Sequence, residues 1–253
     1  MASMSGAPGA VLDPAHAGRW RATWAQVMAG FVPGLSTLEE TMCRAAEAAG
    51  SPPGKVLDLG GGPGVLAERM ARRWPAAEVS VMDIDPVLLA LARSAPSDAA
   101  VRTIEADLSS SAWVGRAGAD FDVIVTVMTL HYLHAAQVQA LYADIRRALT
   151  PGGLLIVADL MPDDGIASLM AALDPAEGAA AADLAWAQWW SDVADIAEIA
   201  PLVAERAAVF GQRPPAEFTA PVSWHAAALG AAGFERVGLV WRCGRHAALA
   251  ALV

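Results

Sequence analysis

Positive charge and cysteine are both scarce in this chain. Of 253 residues only 17 are Lys or Arg, against 27 Asp or Glu, for a formal net charge of −10. The arginines are scattered except for Arg72–Arg73 and Arg146–Arg147, which read as solvated helix faces. No basic stripe of the kind a phosphate backbone demands is present, so nucleic acid is not expected as a partner. The two cysteines, Cys43 and Cys243, lie far apart, and the opening MASMSGAPGAVLDP lacks both the basic stretch and the apolar core of a secretory signal. Reduced, partly buried thiols in a cytoplasmic protein are expected. No run reaches the ~18 uninterrupted apolar residues of a membrane span. Even the Ala-rich tract Ile166–Trp190 is broken by Asp174, Pro175, Glu177 and Asp183. No Cys/His spacing suggests zinc, and residues 126–134 lack the carboxylates of a magnesium site. No G-x-S-x-G elbow offers a hydrolase serine, and no metal is expected.

What is present is apolar. Hydrophobic residues make up 55% and charged residues 17%, which excludes a disordered chain. The length allows one sizeable core and one to two domains. The organising stretch is Lys55–Pro86, KVLDLGGGPGVLAERMARRWPAAEVSVMDIDP. Val56, Leu57 and Leu59 suit a buried parallel strand. Gly60, Gly61, Gly62 and Gly64 then let the backbone turn tightly and approach a ligand. Val65, Leu66, Met70 and Trp74 oppose Arg69, Arg72 and Arg73 in a helical pattern. Val79, Val81 and Ile84 alternate as a second strand, with Asp83 at its tip where a ribose hydroxyl would sit. A dinucleotide fingerprint is nominally met by Gly62, Gly64 and Ala67. Asp58 argues against it, because a carboxylate there would repel a pyrophosphate but could accept hydrogen bonds from a cationic amino-acid group.

The arrangement D-x-G-x-G-x-G, from Asp58 through Gly60 and Gly62 to Gly64, resembles motif I of the class I S-adenosylmethionine-dependent methyltransferases. The resemblance implies an α/β fold: a Rossmann-like, doubly wound, seven-stranded, mostly parallel sheet with an antiparallel C-terminal hairpin. It makes Asp83 the ribose-binding acid and Ile84 the residue against the adenine. FDVIV at Phe121 resembles the family's fourth strand, and PGGLLIVAD its post-helix turn and fifth strand. The likeness spans about Lys55–Leu160 and Ser223–Val253.

In chain order, Met1–Val11 is expected to be weakly held. Two helices should run from Asp13 to Ala49, divided at Pro33–Gly34, so that residues 1–50 cover the cofactor site. Gly50–Gly54 is a linker into an α/β core of residues 51–160. Within it, Pro86 opens a helix through Arg93, and Ala99–Ile104 is a third strand. SSSAWVGRAGAD reads as a loop, Phe121–Thr129 as a strand, Ala135–Leu149 as a helix and Leu154–Asp159 as the fifth strand. Residues 161–222 are read as a helical cap over the substrate pocket. Residues 223–253 give a helix to Gly233 and two strands, Phe234–Val240 and about Arg245–Leu252.

The cofactor-binding candidates are Asp58, Gly60, Gly61, Gly62, Gly64, Asp83, Ile84, Asp107, Leu108 and Thr126, with S-adenosyl-L-methionine as the cofactor. The resemblance places Asp107 against the adenine amino group, with a turn or N-cap role as its alternative. His131, Tyr132 and Asp159 are the catalytic candidates. His131 would act as a base near neutral pH or form a pocket wall, and Asp159 would be a second base, a substrate-amine binder or a capping carboxylate. His134 should start the following helix, and His225 is either substrate-facing or structural. Trp186, Trp189 and Trp190 are too close together to share one helix face, so at least one should point away from the pocket. The reading that results is a methyltransferase acting on an O or N atom of a small molecule, in secondary metabolism. A homodimer is left open. The alternatives are the same fold performing cyclisation, elimination or leaving-group displacement, a nicotinamide-dependent oxidoreductase, and a cofactor-binding protein without catalysis.

Overall fold

The computed structural model describes residues 12–50, 52–173, 176–211, 213, 216 and 218–253. The expectation for Met1–Val11 lies outside the described residues, as do Ser51 of the linker and the tract-breaking Asp174 and Pro175. Seven strands form one sheet: β1 (Lys55–Leu59), β2 (Glu78–Asp83), β3 (Val101–Glu105), β4 (Phe121–Val127), β5 (Leu149–Leu160), β6 (Arg236–Cys243) and β7 (His246–Leu252). Their order is β3-β2-β1-β4-β5-β7-β6. All neighbours are parallel except β7, which runs antiparallel to both β5 and β6. This is the doubly wound sheet with a terminal hairpin expected from the motifs.

The central strands carry continuous apolar runs because helices cover both of their faces. On one face, α5 (Ala112–Ala117), α6 (Ala135–Ala148) and α10 (Val222–Ala231) bury Trp113, Tyr142, Ile145 and Leu229 against Leu57, Ile124 and Leu155. On the other, α2 (Leu35–Ala49) and α3 (Val65–Arg73) bury Leu38, Met42, Met70 and Ala67 against Val56, Val81 and Ile156. A third cluster lies beyond the sheet. There α1 (Pro14–Phe31), α4 (Pro86–Ser94) and α8 (Ala176–Ala194) pack Val27, Leu88, Leu91, Trp189 and Val193 together. The remaining helices are α7 (Ala167–Leu173) and α9 (Ala200–Gly211).

Helix starts follow local chemistry. Asp13 caps α1 by accepting from the His16 amide, with Pro14 in the first turn. Asp85 does the same for α4 through the Val87 and Leu88 amides, with Pro86 at the first position. His134 takes the N-cap position of α6, the helix-start role expected of it, and its amide donates to Gln137 Oε1 at 2.8 Å.

One segment differs in kind from its sequence reading. SSSAWVGRAGAD is not all loop, because Ala112–Ala117 forms α5. Six residues with a central glycine and no side-chain cap give no readable period, and the helix exists because Trp113 docks completely into the core beneath it. Other differences are of boundary: β4 ends at Val127 and β6 continues to Cys243. Trp113→Ala should therefore lower stability by about 3–5 kcal/mol, the usual cost of emptying a large aromatic site. Urea denaturation checks this. A change below about 1 kcal/mol would show that α5 is a surface loop after all.

Candidate active site

At the carboxyl ends of β1 and β4 the strand order reverses, and the loops that follow part to leave a crevice. A cavity of about 610 Å³ fills it, within the roughly 300–1,000 Å³ usual for small-molecule sites. Its floor is the glycine loop. Gly60 and Gly62 have φ of 68° and 55°, which side-chain-bearing residues rarely adopt. Gly60 also faces the loop after β4 so closely that an added Cβ would lie 2.3 Å from Thr129.

Asp58 lies beneath this loop, 1% exposed, and still reaches the cavity. Among the described residues neither of its oxygens has a hydrogen-bond partner of normal geometry. Burial, reinforced by the charge of Asp83, pushes its pKa up to about 7, with only the Ala67 amide working the other way. Asp83, also on the wall, accepts from the Gly62 amide at 2.8 Å through one oxygen. The other takes the Ile84 amide at 2.7 Å and the Asp85 amide at 2.9 Å. Burial outweighs these bonds and raises Asp83 to about 6. Ile84, Asp107 and Leu108 continue the same wall. Burial works to raise Asp107, but bonds from Ser109 and the cap residue Arg213 hold it below its ordinary value.

The opposite wall begins where β4 ends. His131 and Tyr132 line the cavity in a short turn, Leu130–Tyr132, with ring centres 4.2 Å apart. Asp159 stands behind them at the end of β5, 3% exposed. It accepts from the Thr129 amide at 3.0 Å and the Leu130 amide at 2.7 Å, and pairs with His131 Nδ1 at 2.8 Å. Burial alone would raise its pKa. The His131 contact and the backbone amides reverse this and hold it below the carboxylate norm. An ionised Asp159 makes Nδ1 the protonated nitrogen of a neutral His131, leaving Nε2 as the acceptor. Asp159 is thus a support for the histidine and not itself a cavity-lining group.

The helices outside the sheet close the cavity. Trp24, Met28 and Phe31 come from α1, Leu35, Leu38 and Met42 from α2, and Trp186 and Trp190 from α8. Trp189 turns away into the α1 contact, its indole donating to Thr23 at 3.0 Å, so one of the three cap tryptophans does point elsewhere. From α9, Arg206 pairs with Asp85 at 2.5 Å.

Besides Asp159, two predicted residues are not brought to the cavity. Gly64 is the left-handed cap of α3, one turn past the loop apex, and its carbonyl accepts from Arg21 at 2.9 Å. Thr126 is fully buried because side chains alternate along β4, and it faces the same way as Ile124 while Val127 reaches the cavity. His225 is structural: it is 1% exposed and bonded to the Tyr142 hydroxyl at 2.7 Å, and burial pulls its pKa down to about 4. Missed from the sequence were Arg206, Arg213 and the supporting Asp85. The Asp-Pro pair opening α4 is a signal for a capping Asp85, but nothing local points Arg206 or Arg213 inward.

Residues 56–153 match the methyltransferase domain family. Over those residues the chain is similar to a methyltransferase domain. An uncharacterised methyltransferase of Mycobacterium tuberculosis (strain ATCC 25618 / H37Rv) is 37% identical over 102 residues, 40% of this chain and 48% of the relative. The tetracenomycin polyketide synthesis 8-O-methyltransferase of Streptomyces glaucescens is 34% identical over 43% of this chain and 31% of its own length. The chain thus spans half or less of the length of the curated relatives it matches. Among solved structures, an O-methyltransferase family protein from Burkholderia thailandensis has the same fold, with a TM-score of 0.58 at 18% identity over 92% of this chain and 61% of that one. The methyltransferase domain match goes against a nicotinamide-dependent oxidoreductase. Helices α7 to α9 lie beyond the matched residues.

The raised acids of the cavity carry a stability signature. Asp58 binds its proton more tightly folded, at about 7, than at its ordinary 3.8. The stability it contributes is therefore complete below about pH 4 and is lost as pH rises through 7. Asp58→Asn should remove this loss. The ligand-free variant should melt above the parent at pH 8, by a margin on the order of 2–4 kcal/mol that shrinks toward pH 4. Paired thermal melts at pH 4.5 and 8 check it, and an equal effect at both values would count against an ionised Asp58.

Proposed function

We propose that this protein is an S-adenosylmethionine-dependent methyltransferase that transfers a methyl group to an oxygen or nitrogen atom of a small molecule, in secondary metabolism. The observation that carries the reading is the unpartnered, buried Asp58 carboxylate facing the cavity beside the glycine loop. Such a group is costly unless a cation meets it, and the amino-acid ammonium of the cofactor is one. Gly60 to Gly62 would carry the amino-acid portion, Asp83 the ribose hydroxyls, and Ile84, Asp107 and Leu108 the adenine. The bound cofactor supplies an electrophilic methyl group next to a sulfonium centre. The aromatic walls fit that charge.

His131 would take one proton at Nε2 from the acceptor's hydroxyl or amine, and Asp159 would hold the resulting imidazolium in place. Tyr132 is 60% exposed, but desolvation of its hydroxyl and the Asp159 charge raise its pKa, so it stays protonated and would donate a hydrogen bond to the acceptor. Trp186, Trp190 and Phe210 would keep water out. The single polyketide O-methyltransferase among the relatives above supports secondary metabolism by analogy. Two free thiols, Cys43 and Cys243, suit a reducing compartment such as the cytoplasm.

Calorimetric titration with S-adenosylmethionine, S-adenosylhomocysteine and NADH tests the cofactor. Both sulfur ligands should bind in the micromolar range and lose at least tenfold in affinity in Asp83→Ala, a change of about 1.4 kcal/mol. Binding of NADH alone would end the reading. Once an acceptor is in hand, His131→Ala should lower kcat by roughly 10²–10⁴ with little change in cofactor affinity. An unchanged kcat would make His131 a wall only.

A further inference from the structure

The cap spanning residues 161–222 contains ten acidic side chains and only two basic ones, Arg206 and Arg213. Both basic side chains line the cavity. In a chain so short of positive charge, this placement calls for a ligand or a structural partner. Arg213 has one, since it pairs with Asp107. Arg206 is only partly accounted for. Its Nε donates to Asp85 at 2.5 Å, and that is its single hydrogen bond among the described residues. Asp85 in turn accepts from the Val87 and Leu88 amides, so its charge is shared with the start of α4.

The guanidinium also lies over aromatic rings. It lies 3.8 Å from the centre of the Trp190 ring and 4.8 Å from that of Phe210. Anchored at Nε and lying over aromatic rings, it has both terminal nitrogens without a hydrogen-bond partner among the described residues. Two parallel N–H donors in one plane match a carboxylate in a way a lysine could not. The charge also acts across the cavity, where it opposes the burial-driven rise of the Tyr132 hydroxyl. Trp24, Trp186, Phe31 and Tyr132 supply flat apolar walls around it.

We propose that Arg206 is the anion-binding residue of the acceptor pocket, and that the acceptor is a planar aromatic acid whose carboxylate meets the free edge of this guanidinium. The proposal rests on the methyltransferase reading for what happens to the acceptor, but the binding it describes does not. Arg206 acts as a specificity-determining residue, because an uncharged analogue leaves the two terminal nitrogens of a partly buried guanidinium without a matching acceptor.

The probes are 1-hydroxy-2-naphthoate and its uncharged amide, 1-hydroxy-2-naphthamide. Their binding is read by quenching of tryptophan fluorescence and by calorimetry on the full chain saturated with S-adenosylhomocysteine. The acid should bind at least tenfold tighter than the amide. Arg206→Gln should abolish that preference while leaving S-adenosylhomocysteine affinity within twofold, and Arg206→Lys should restore only part of it. Thermal melts establish that each variant is folded, and Arg206→Met replaces Arg206→Gln if the latter is not. Equal binding of acid and amide, binding of neither at millimolar concentration, or an unchanged preference in the variant would overturn the proposal. A parallel loss of S-adenosylhomocysteine affinity in Arg206→Gln would also overturn it, by assigning Arg206 to the cofactor. If the parent protein prefers the acid but binds no S-adenosylhomocysteine, the anion site stands and the methyltransferase reading fails.

Discussion

A carboxylate buried in the middle of an apolar sheet is the constraint to which the rest of this molecule conforms. Asp58 lies between Leu57 and Leu59, both fully buried, on β1, an interior strand next to the central one. A charge in such a place is expensive unless something meets it. The backbone around it is shaped by that presence. Gly61 has no room for a side chain because an added Cβ would fall 2.3 Å from Asp58 Oδ2. Gly60 has none because Thr129 presses on it from the neighbouring loop. These glycines would be required by the protein's own packing even if no ligand ever approached them.

Thr129 links this arrangement to the other side of the crevice. Its amide and that of Leu130 are bound by Asp159, which also holds His131. Three strand ends, those of β1, β4 and β5, therefore share one hydrogen-bonded and sterically matched junction. Displacing the glycine loop would disturb Thr129, then the Asp159 contacts, and so the orientation of the imidazole. The floor of the cavity and its candidate base are in this sense one structural unit.

The outer helices join the same unit through polar contacts. Arg21 of α1 donates to the Gly64 carbonyl at 2.9 Å and pairs with Glu68 at 2.5 Å, both partners being buried. Trp24, one turn further on, covers Gly62. Arg206 and Arg213 tie the cap to Asp85 and Asp107, which follow the ends of β2 and β3. The apolar cluster that packs α1, α4 and α8 together lies apart from the two that cover the sheet. A layer of this kind, held by a separate cluster and a few ion pairs, is better placed to open than the sheet beneath it.

The sheet and most of the floor were legible from residues 55–160 and 223–253, the order of the strands only from the structure. Apolar runs, glycine turns and strand-end acids are local patterns whose meaning depends little on what packs against them. Asp58 and Asp83 were found this way, Ile84, Asp107 and Leu108 through the family resemblance, and all reach the cavity. Thr126 and Gly64 were misplaced by one step of strand alternation and one turn of helix, distances that a motif does not resolve. The α5 helix was invisible because Trp113 stabilises it from outside the segment. What only the tertiary structure decided is which side chains converge from far away. Arg206 meets Asp85 across 121 positions, and Trp189 meets Thr23 across 166. Nothing periodic in α8 or α9 distinguishes an inward arginine or tryptophan from an outward one. Their direction is set by docking against α1 and α4, and docking is a property of the folded chain.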